Sequence, residues 1–256
     1  MIIKSTKNKI FKYALKFQDK KFRDKSRLFF IEGKKQVEDI PKSWNIKQIF
    51  VSERYKDIIS DFKNITVLSN RLFDKLSATK SPQGIMALVE KKHYDPKKII
   101  KNHGKFIILE NIQDPGNLGA IIRSADAFGV KAVFVSSESA DTYSDKTLRA
   151  TMGSIFHLPV IDNIEIEDVL NSMKNEKITI FAASLKGKKY LSEIRFENKS
   201  AFIIGNESHG IRNETENLAD ALVKIYMTGK TKSLNAAVAA SLIMYEMSKK
   251  YEMSKK

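Results

Sequence analysis

Along the first hundred residues the apolar positions change period several times. From Asn8 to about Gln18, Ile10, Phe11, Ala14, Leu15 and Phe17 recur at helical spacing with Lys9, Lys12, Lys16 and Lys20 between them, which predicts an amphipathic helix. Short apolar runs at 28–31, 46–51, 65–68 and 84–89 follow, separated by helical stretches, so this part is expected to be a small α/β domain. Later the alternation becomes strict. Apolar runs at 106–109, 132–135, 178–182, 201–204 and 223–227 have helical segments between most of them, the pattern of a parallel sheet covered on both faces. Ligands of such sheets sit in loops at the carboxyl ends of the strands. The charged stretch KKHYDPKKIIKNHGK, 91–105, contains Pro96 and Gly104 and separates the two patterns, as linkers do. The expected layout is a domain over 1–98, a linker over 99–105 and a parallel-sheet domain over 106–256, α/β throughout.

Within the second region, ENIQDPGNLGAIIRSADAFGV (110–130) predicts a helix with Asn117 as N-cap, an apolar stripe of Leu118, Ile121, Ile122, Ala125 and Phe128, and a stop at Gly129. Arg123 does not belong to that stripe. At the other end YEMSKK occurs at 245–250 and again at 251–256. A period of six does not fit a coiled coil, so the repeat reads as a fraying extension of the last helix or a tandem duplication without chemistry.

Charge adds a direction. The formal net charge is +15, but residues 1–100 hold 24 Lys+Arg against 11 Asp+Glu, whereas residues 101–256 hold 21 against 19. Clustered cations gain affinity for a polyanion by displacing counterions from phosphates, so nucleic acid is the leading partner for the first domain. Lysine abundance through genome composition is the alternative, and it does not account for the asymmetry. There is no cysteine, which excludes disulfides, thiol nucleophiles and cysteine metal sites, and His93, His103, His157 and His209 lack ligand spacing. No catalytic metal is expected. No apolar run approaches the roughly 18 residues of a membrane span, and MIIKSTKNKIFK lacks the apolar core of a signal peptide, so a cytoplasmic protein with no membrane partner is expected.

Familiar nucleotide signatures fail. Gly229-Lys230-Thr231 imitates the end of a P-loop, but Lys224 stands where the motif needs glycine. No strand runs into Gly-x-Gly-x-x-Gly, and Gly-x-Ser-x-Gly is missing. Three strand-to-loop junctions remain: QDPGNLGAIIRSADAFG at 113–129, FIIGNESHGI at 202–211 and VKIYMTGKTKSLNAAVAASLIMYE at 223–246. In this order they resemble the SpoU family, also called TrmH, of RNA ribose 2'-O-methyltransferases. The first motif appears as Asn117, Gly119 and Arg123, the second as Gly205, Asn206 and Glu207, and the third as Ile225, Met227, Gly229, Ser233, Leu234 and Asn235. RATMGSIFHLP at 149–159 is similar to a further family segment. Ser5, Asn8, Ile10 and Lys12, FFIEG at 29–33 and SPQGIMALV at 81–89 resemble the ribosomal-protein-like substrate-binding domain of members that act on rRNA. Two departures stand out: Tyr226 where the family often has proline, and Ala236-Ala237 where Val-Ser is common.

The resemblance, which covers nearly the whole chain, implies a trefoil-knotted parallel-sheet domain that binds S-adenosylmethionine through Leu185, Gly205, Ile225, Met227 and Leu234. It implies a catalytic set of Arg123, Asn117, Glu207, Ser233 and Asn235, and a homodimer. RNA contacts are expected from Lys7, Asn8, Lys9, Lys12 and Arg23 and from Arg149. A guanidinium keeps its proton near neutral pH, so Arg123 is expected to clamp the target nucleotide's phosphate and stabilise alkoxide charge rather than to act alone as base. Two alternatives stay open here: a knotted RNA-binding or ribosome-assembly factor without methyl transfer, and a tRNA rather than an rRNA substrate. The target nucleotide is not encoded in any of these motifs.

Overall fold

The computed structural model describes residues 2–58, 62–206, 208–231 and 233–253, the side chains of 57, 58 and 250–253 apart. In chain order the first elements are β1 (Ile2–Ile3), α1 (Lys9–Leu15), α2 (Lys20–Ser26), β2 (Leu28–Glu32), α3 (Lys34–Glu38), β3 (Ile46–Ser52), β4 (Ile65–Leu68), α4 (Asn70–Leu76) and β5 (Ile85–Glu90). They continue as α5 (Pro96–Lys101), β6 (Gly104–Leu109), α6 (Pro115–Ala127), β7 (Ala132–Ser136), α7 (Asp145–Thr151), β8 (Val160–Ile164) and α8 (Ile166–Asn175). The last are β9 (Thr179–Ala183), β10 (Lys189–Tyr190), β11 (Lys199–Ile204), α9 (Asn213–Leu218), β12 (Ala221–Lys224) and α10 (Ala236–Met253). Two compact units emerge, Met1–His93 with Tyr143–Phe156, and Tyr94–Thr142 with His157–Lys256.

In the first unit a mixed sheet has the order β1-β4-β3-β5-β2, with β5 antiparallel to both neighbours. Asn8 starts α1 by accepting from the amides of Ile10 and Phe11, and this turns Phe11 and Ala14 onto a core with Phe17, Leu72, Phe73 and Leu76. Strand alternation points Phe29 to the opposite face, where Tyr143 lies 4.8 Å and Trp44 6.2 Å away between ring centroids. The Trp44 indole donates to the Phe156 carbonyl at 3.2 Å. That aromatic cluster is why Tyr143–Phe156, including α7, groups with this unit, although the expected boundary assigned it to the second domain.

The expected linker at 99–105 is also corrected. Asp95 caps α5 with Pro96 at its first turn, so 99–105 is the end of a helix and the beginning of β6. The second unit is a fully parallel seven-stranded sheet of order β10-β12-β9-β11-β6-β7-β8. All six residues of β6 are buried. Phe106, Ile108, Ala201 and Ile203 meet Ile100, Val169, Leu170 and Met173 from α5 and α8 on one face. On the other side α6 packs against α10, which also meets β11. From β6 the chain steps outward through β7 to β8, then crosses to β9 and returns to insert β11 beside β6, which places the β6–β11 boundary at a switch point.

Three strands escaped the apolar pattern: β1 and β10, each of two residues, and β8, where Asp162 and a left-handed Asn163 (φ 53) interrupt the run. The run at 223–227 stops pairing at Lys224, leaving 225–227 in a loop. The helix of the first motif begins three residues earlier than expected. Asp114, not Asn117, is its N-cap, accepting from the Asn117 amide at 2.9 Å, because Pro115 already has the backbone angle of a first helical residue. Gly129 does follow its end in the left-handed region (φ 66).

Candidate active site

Four loops leave the carboxyl ends of β6, β9, β11 and β12. Their backbones, more than their side chains, build the site. After β11, Gly205 is followed by a tight return in which Asn206 and Gly210 exchange backbone hydrogen bonds of 3.1 and 2.9 Å. A β-carbon on Gly205 would sit 2.4 Å from the carbonyl carbon and oxygen of Gly210, so only glycine fits. The Asn206 side chain holds the turn from both sides. Its oxygen accepts from the amides of Ser208 and His209, and its Nδ2 donates to the Asn111 carbonyl at 2.9 Å. Asn111 itself is left-handed (φ 56), with its amide on Ser136 Oγ.

The β6 loop is tied to the far side of this return by Glu110. Its carboxylate is buried and accepts from the Arg212 amide at 3.0 Å, Arg212 Nε at 2.7 Å and Thr215 Oγ1 at 2.7 Å. The hydrogen bond from Arg212 to Glu110 holds the guanidinium above its ordinary pKa. Lys186, in the loop after β9, donates to Asn213 Oδ1 at 2.9 Å and Glu216 Oε2 at 2.8 Å. Burial opposes ionisation of Glu216, but hydrogen bonds from Lys186 and Ser184 and the Lys186 charge bring its pKa below the usual value.

These loops enclose a cavity of about 780 Å³, within the size range of small-molecule and cofactor sites. The structure brings together all five residues expected to hold a cofactor: Leu185, Gly205, Ile225, Met227 and Leu234 line it, and so does Ser233. Tyr226 lies between two lining residues and is exposed. Glu207 lies outside the described residues, as does the end of the duplicated tail, 254–256.

Asn117 and Asn235 are not among the lining residues but meet each other. Asn235 Nδ2 donates to Asn117 Oδ1 at 2.9 Å, and Asn235 Oδ1 accepts from the amides of Ala237 and Val238, capping α10. About two turns along, the hydroxyls of Ser124 and Ser241 are 2.8 Å apart. The first and third motifs are therefore joined through α6 and α10. Arg123 projects from α6, is exposed, and forms no side-chain hydrogen bond or ion pair among the described residues.

In the first unit Lys7, Lys9 and Lys12 are exposed. Two of the RNA contacts expected there are already engaged within the fold. Asn8 spends its oxygen on the helix cap, and Arg23 is buried, with Nη1 on the carbonyls of Phe17 and Gln18 at 2.6 and 2.9 Å. Arg23 is corrected to a structural residue, since a guanidinium turned inward offers no charge to a phosphate. Arg149 pairs with Asp145 one turn earlier on α7. Glu110, Arg212 and Thr215 have no part in the motifs read from the sequence. The available signal is an acidic residue directly after a continuous apolar strand. Among the described residues there is no group of His, Asp and Glu able to hold a metal, and no helix is long and apolar enough to cross a membrane.

Known proteins resemble this chain along nearly its whole length. The sequence model of the SpoU rRNA Methylase family matches residues 104–245, and that of the MRM3-like substrate binding domain matches residues 8–87. The chain is 33% identical to the 23S rRNA (guanosine(2553)-2'-O)-methyltransferase RlmP of Bacillus subtilis (strain 168), over 96% of this chain and 98% of that protein. It is 30% identical to a 23S rRNA (uridine(2479)-2'-O)-methyltransferase of Streptomyces viridochromogenes, over 72% of this chain and 66% of that one. Among solved structures, an AdoMet-bound rRNA methyltransferase from Sinorhizobium meliloti superposes with a TM-score of 0.87 at 27% identity, covering 97% of both chains.

Proposed function

Because the chain belongs to the SpoU rRNA Methylase family, we propose that it transfers a methyl group from S-adenosylmethionine to a ribose 2'-hydroxyl of 23S ribosomal RNA. The observation that carries this reading is the single cavity lined by Leu185, Gly205, Ile225, Met227 and Leu234 from three separate loops. The residues fit the cofactor. An adenosine needs apolar walls with a few main-chain donors and acceptors, and Gly205, where a β-carbon is sterically excluded, leaves the backbone open to close approach. When bound, the cofactor supplies a sulfonium-activated methyl group. The protein's own contribution is orientation, worth up to roughly 7 to 11 kcal/mol in well-aligned cases.

Arg123, unpaired on α6 among the described residues, binds the target nucleotide's phosphate and stabilises charge developing on the 2'-oxygen. Asn117 and Asn235 act as positioning residues that lock α6 to the cofactor loop, and Ser233 and Glu207 orient the third and second loops. The basic first unit, with Lys7, Lys9 and Lys12 outward, takes the RNA. Since Arg123 does not line the cavity of its own chain, a homodimer that brings two chains' motifs together suits the geometry. Val238, Leu242 and Tyr245, exposed at i, i+4 and i+7 on α10, give such a dimer an apolar seam. The insertion of β11 between β9 and β6, followed by passage of the chain back to α6, supports a trefoil knot. A cytoplasmic location follows from the substrate.

Calorimetry with S-adenosylmethionine, together with mapping of ribose methylation in total RNA from cells with and without the protein, tests this. Cofactor binding and loss of one 23S rRNA methyl group are expected. No binding would sink the enzymatic reading, and a methyl group missing from tRNA instead would replace the substrate.

A further inference from the structure

The part of the protein around the cavity carries a basic aromatic surface that its overall charge conceals. Residues 184–191 and 222–235 contain six lysines, of which Lys186 is paired with Glu216, and no Asp or Glu, within a region, 101–256, that is nearly balanced. Between the two cavity-lining residues Ile225 and Met227, Tyr226 is 66% exposed, the most exposed aromatic ring among the described residues. It is not loose. Its ring stands edge-to-face with Tyr190 at 5.2 Å and 89°, and the Lys224 ammonium lies 4.7 Å from the centroid of the Tyr190 ring. Tyr190 is fixed in turn by its place in β10, in register with Lys224 of β12, and by its amide donating to Glu193. An exposed tyrosine braced by a second ring, among lysines and beside a cofactor cavity, has the makings of a stacking platform: a π-face for a base and cations for its phosphates.

We propose that Tyr226, braced by Tyr190 and Lys224, stacks an unpaired base of the RNA substrate close to the nucleotide that is methylated. The inference rests on the methyltransferase reading and adds to it a substrate-positioning role for a residue that stands between two members of the third motif, Ile225 and Met227. Lys188, Lys189 and Lys230, all exposed, supply the charge that makes RNA the occupant of this surface. Stacking tolerates any base, so the residue fixes where the strand lies and leaves base identity to other contacts.

The test compares Tyr226→Ala, Tyr226→Phe and Tyr190→Ala in the full-length protein, using a 23S rRNA transcript and S-adenosylmethionine. Loss of one base–aromatic stack raises the KM for RNA roughly 5- to 100-fold in Tyr226→Ala, with cofactor affinity within about twofold, and Tyr226→Phe restores the wild-type KM. Tyr190→Ala gives a smaller rise of the same kind. An unchanged KM in Tyr226→Ala overturns the proposal. So does a parallel fall in cofactor affinity, which would make the ring a wall of the cavity, or a Tyr226→Phe defect equal to that of alanine, which would make the hydroxyl the contact. If the wild-type protein neither binds the cofactor nor methylates, the methyltransferase reading fails separately. The stacking claim is then decided by affinity for a short mixed-sequence RNA against an abasic strand of equal length. Wild-type preference for the base-bearing strand that disappears in Tyr226→Ala upholds it, and equal binding overturns it.

Discussion

Replacing Gly205 by alanine is the most direct probe of the pocket, because the structure states what the methyl group would strike. The added carbon would lie 2.4 Å from the Gly210 carbonyl carbon and oxygen and 2.6 Å from the Ile211 nitrogen. All three are main-chain atoms, so no side chain can swing aside, and reaching ordinary contact requires movement of about 1 Å, since overpacked sites relax by shifting backbone. That movement has to break or carry the paired hydrogen bonds between Asn206 and Gly210, and with them the bond from Asn206 to the Asn111 carbonyl. Overpacking of this kind costs about 1 to 3 kcal/mol, a fall in Tm of roughly 2 to 12 °C for a domain of this size. A displacement near 1 Å in a positioning loop also costs on the order of 100-fold in rate. Calorimetry, thermal melting and single-turnover methylation of one preparation should therefore show at least tenfold weaker cofactor binding together with a lowered Tm. Gly187→Ala, whose β-carbon meets the Leu222 carbonyl oxygen at 2.8 Å, should fall between that variant and wild type. Gly229→Ala, with nothing within 4 Å, should leave the Tm unchanged. Wild-type affinity and Tm in Gly205→Ala would refute the argument that close backbone packing shapes this cavity.

Four further outcomes are expected. Burial brings the Lys105 ammonium down to about 8; between there and the normal lysine range the unfolded chain holds a proton that the folded one has released, so stability rises with pH by up to about 3 kcal/mol, and urea titrations of Lys105→Met should lose that rise. Asn117→Ala and Asn235→Ala should couple by about 1 kcal/mol in a double-mutant cycle, with Asn235→Ala losing a further 0.5–2 kcal/mol or so from the α10 cap; strict additivity in denaturant melts would count against the bond. Glu110→Ala leaves Arg212 and the buried Thr215 without their acceptor and should cost about 1 to 3 kcal/mol, loosening 211–216 in hydrogen exchange, while unchanged protection there would contradict its tethering role. Arg123→Ala should slow single-turnover methylation at least tenfold at unchanged cofactor affinity, and a retained rate would discard the phosphate clamp.

Much of the fold is legible in hydrophobic period, because buried strands of a doubly covered sheet are apolar on both faces. Phe106, Ile107, Ile108 and Leu109 leave little room for another reading. The same rule fails where burial and apolarity part company. β8 carries Asp162 and a left-handed Asn163, and β10 is held by pairing with β12 rather than by an apolar run. Domain boundaries are obscured for a different reason. Charge and Pro96 concentrate where a linker would stand, but Asp95 and Pro96 begin a helix. The segment Tyr143–Phe156 joins the first unit through Phe29 and Trp44, which lie far away in sequence and leave no periodic trace.

For the site, the legible residues are those whose backbone conformation demands a particular side chain. Gly205 and Asn206 announce a turn because few other residues can make it, whereas Leu185, Ile225, Met227 and Leu234 are implied only by the resemblance to the SpoU family. Residues recruited through partners are not legible. Arg23 looks like one more cation in a basic helix until the carbonyls of Phe17 and Gln18 are seen around it, and Glu110 takes its meaning from Arg212 and Thr215, about a hundred residues on. Charge summed over a region misleads in the same way. The balance of residues 101–256 suggests that RNA is gripped only by the first unit, yet the acidic residues that cancel the lysines lie outside 184–191 and 222–235. Screening confines the effect of an exposed charge to about 8 Å at physiological salt, so a phosphate near Tyr226 experiences the cations beside it, among them Lys224 and Lys189 on the paired strands β12 and β10, and not the regional average. The salt dependence of RNA affinity should accordingly weaken when Lys188, Lys189 and Lys230 are replaced together by glutamine, by up to about one unit of log–log slope for each phosphate that is no longer neutralised. An unchanged slope would mean that the first unit carries the whole electrostatic grip.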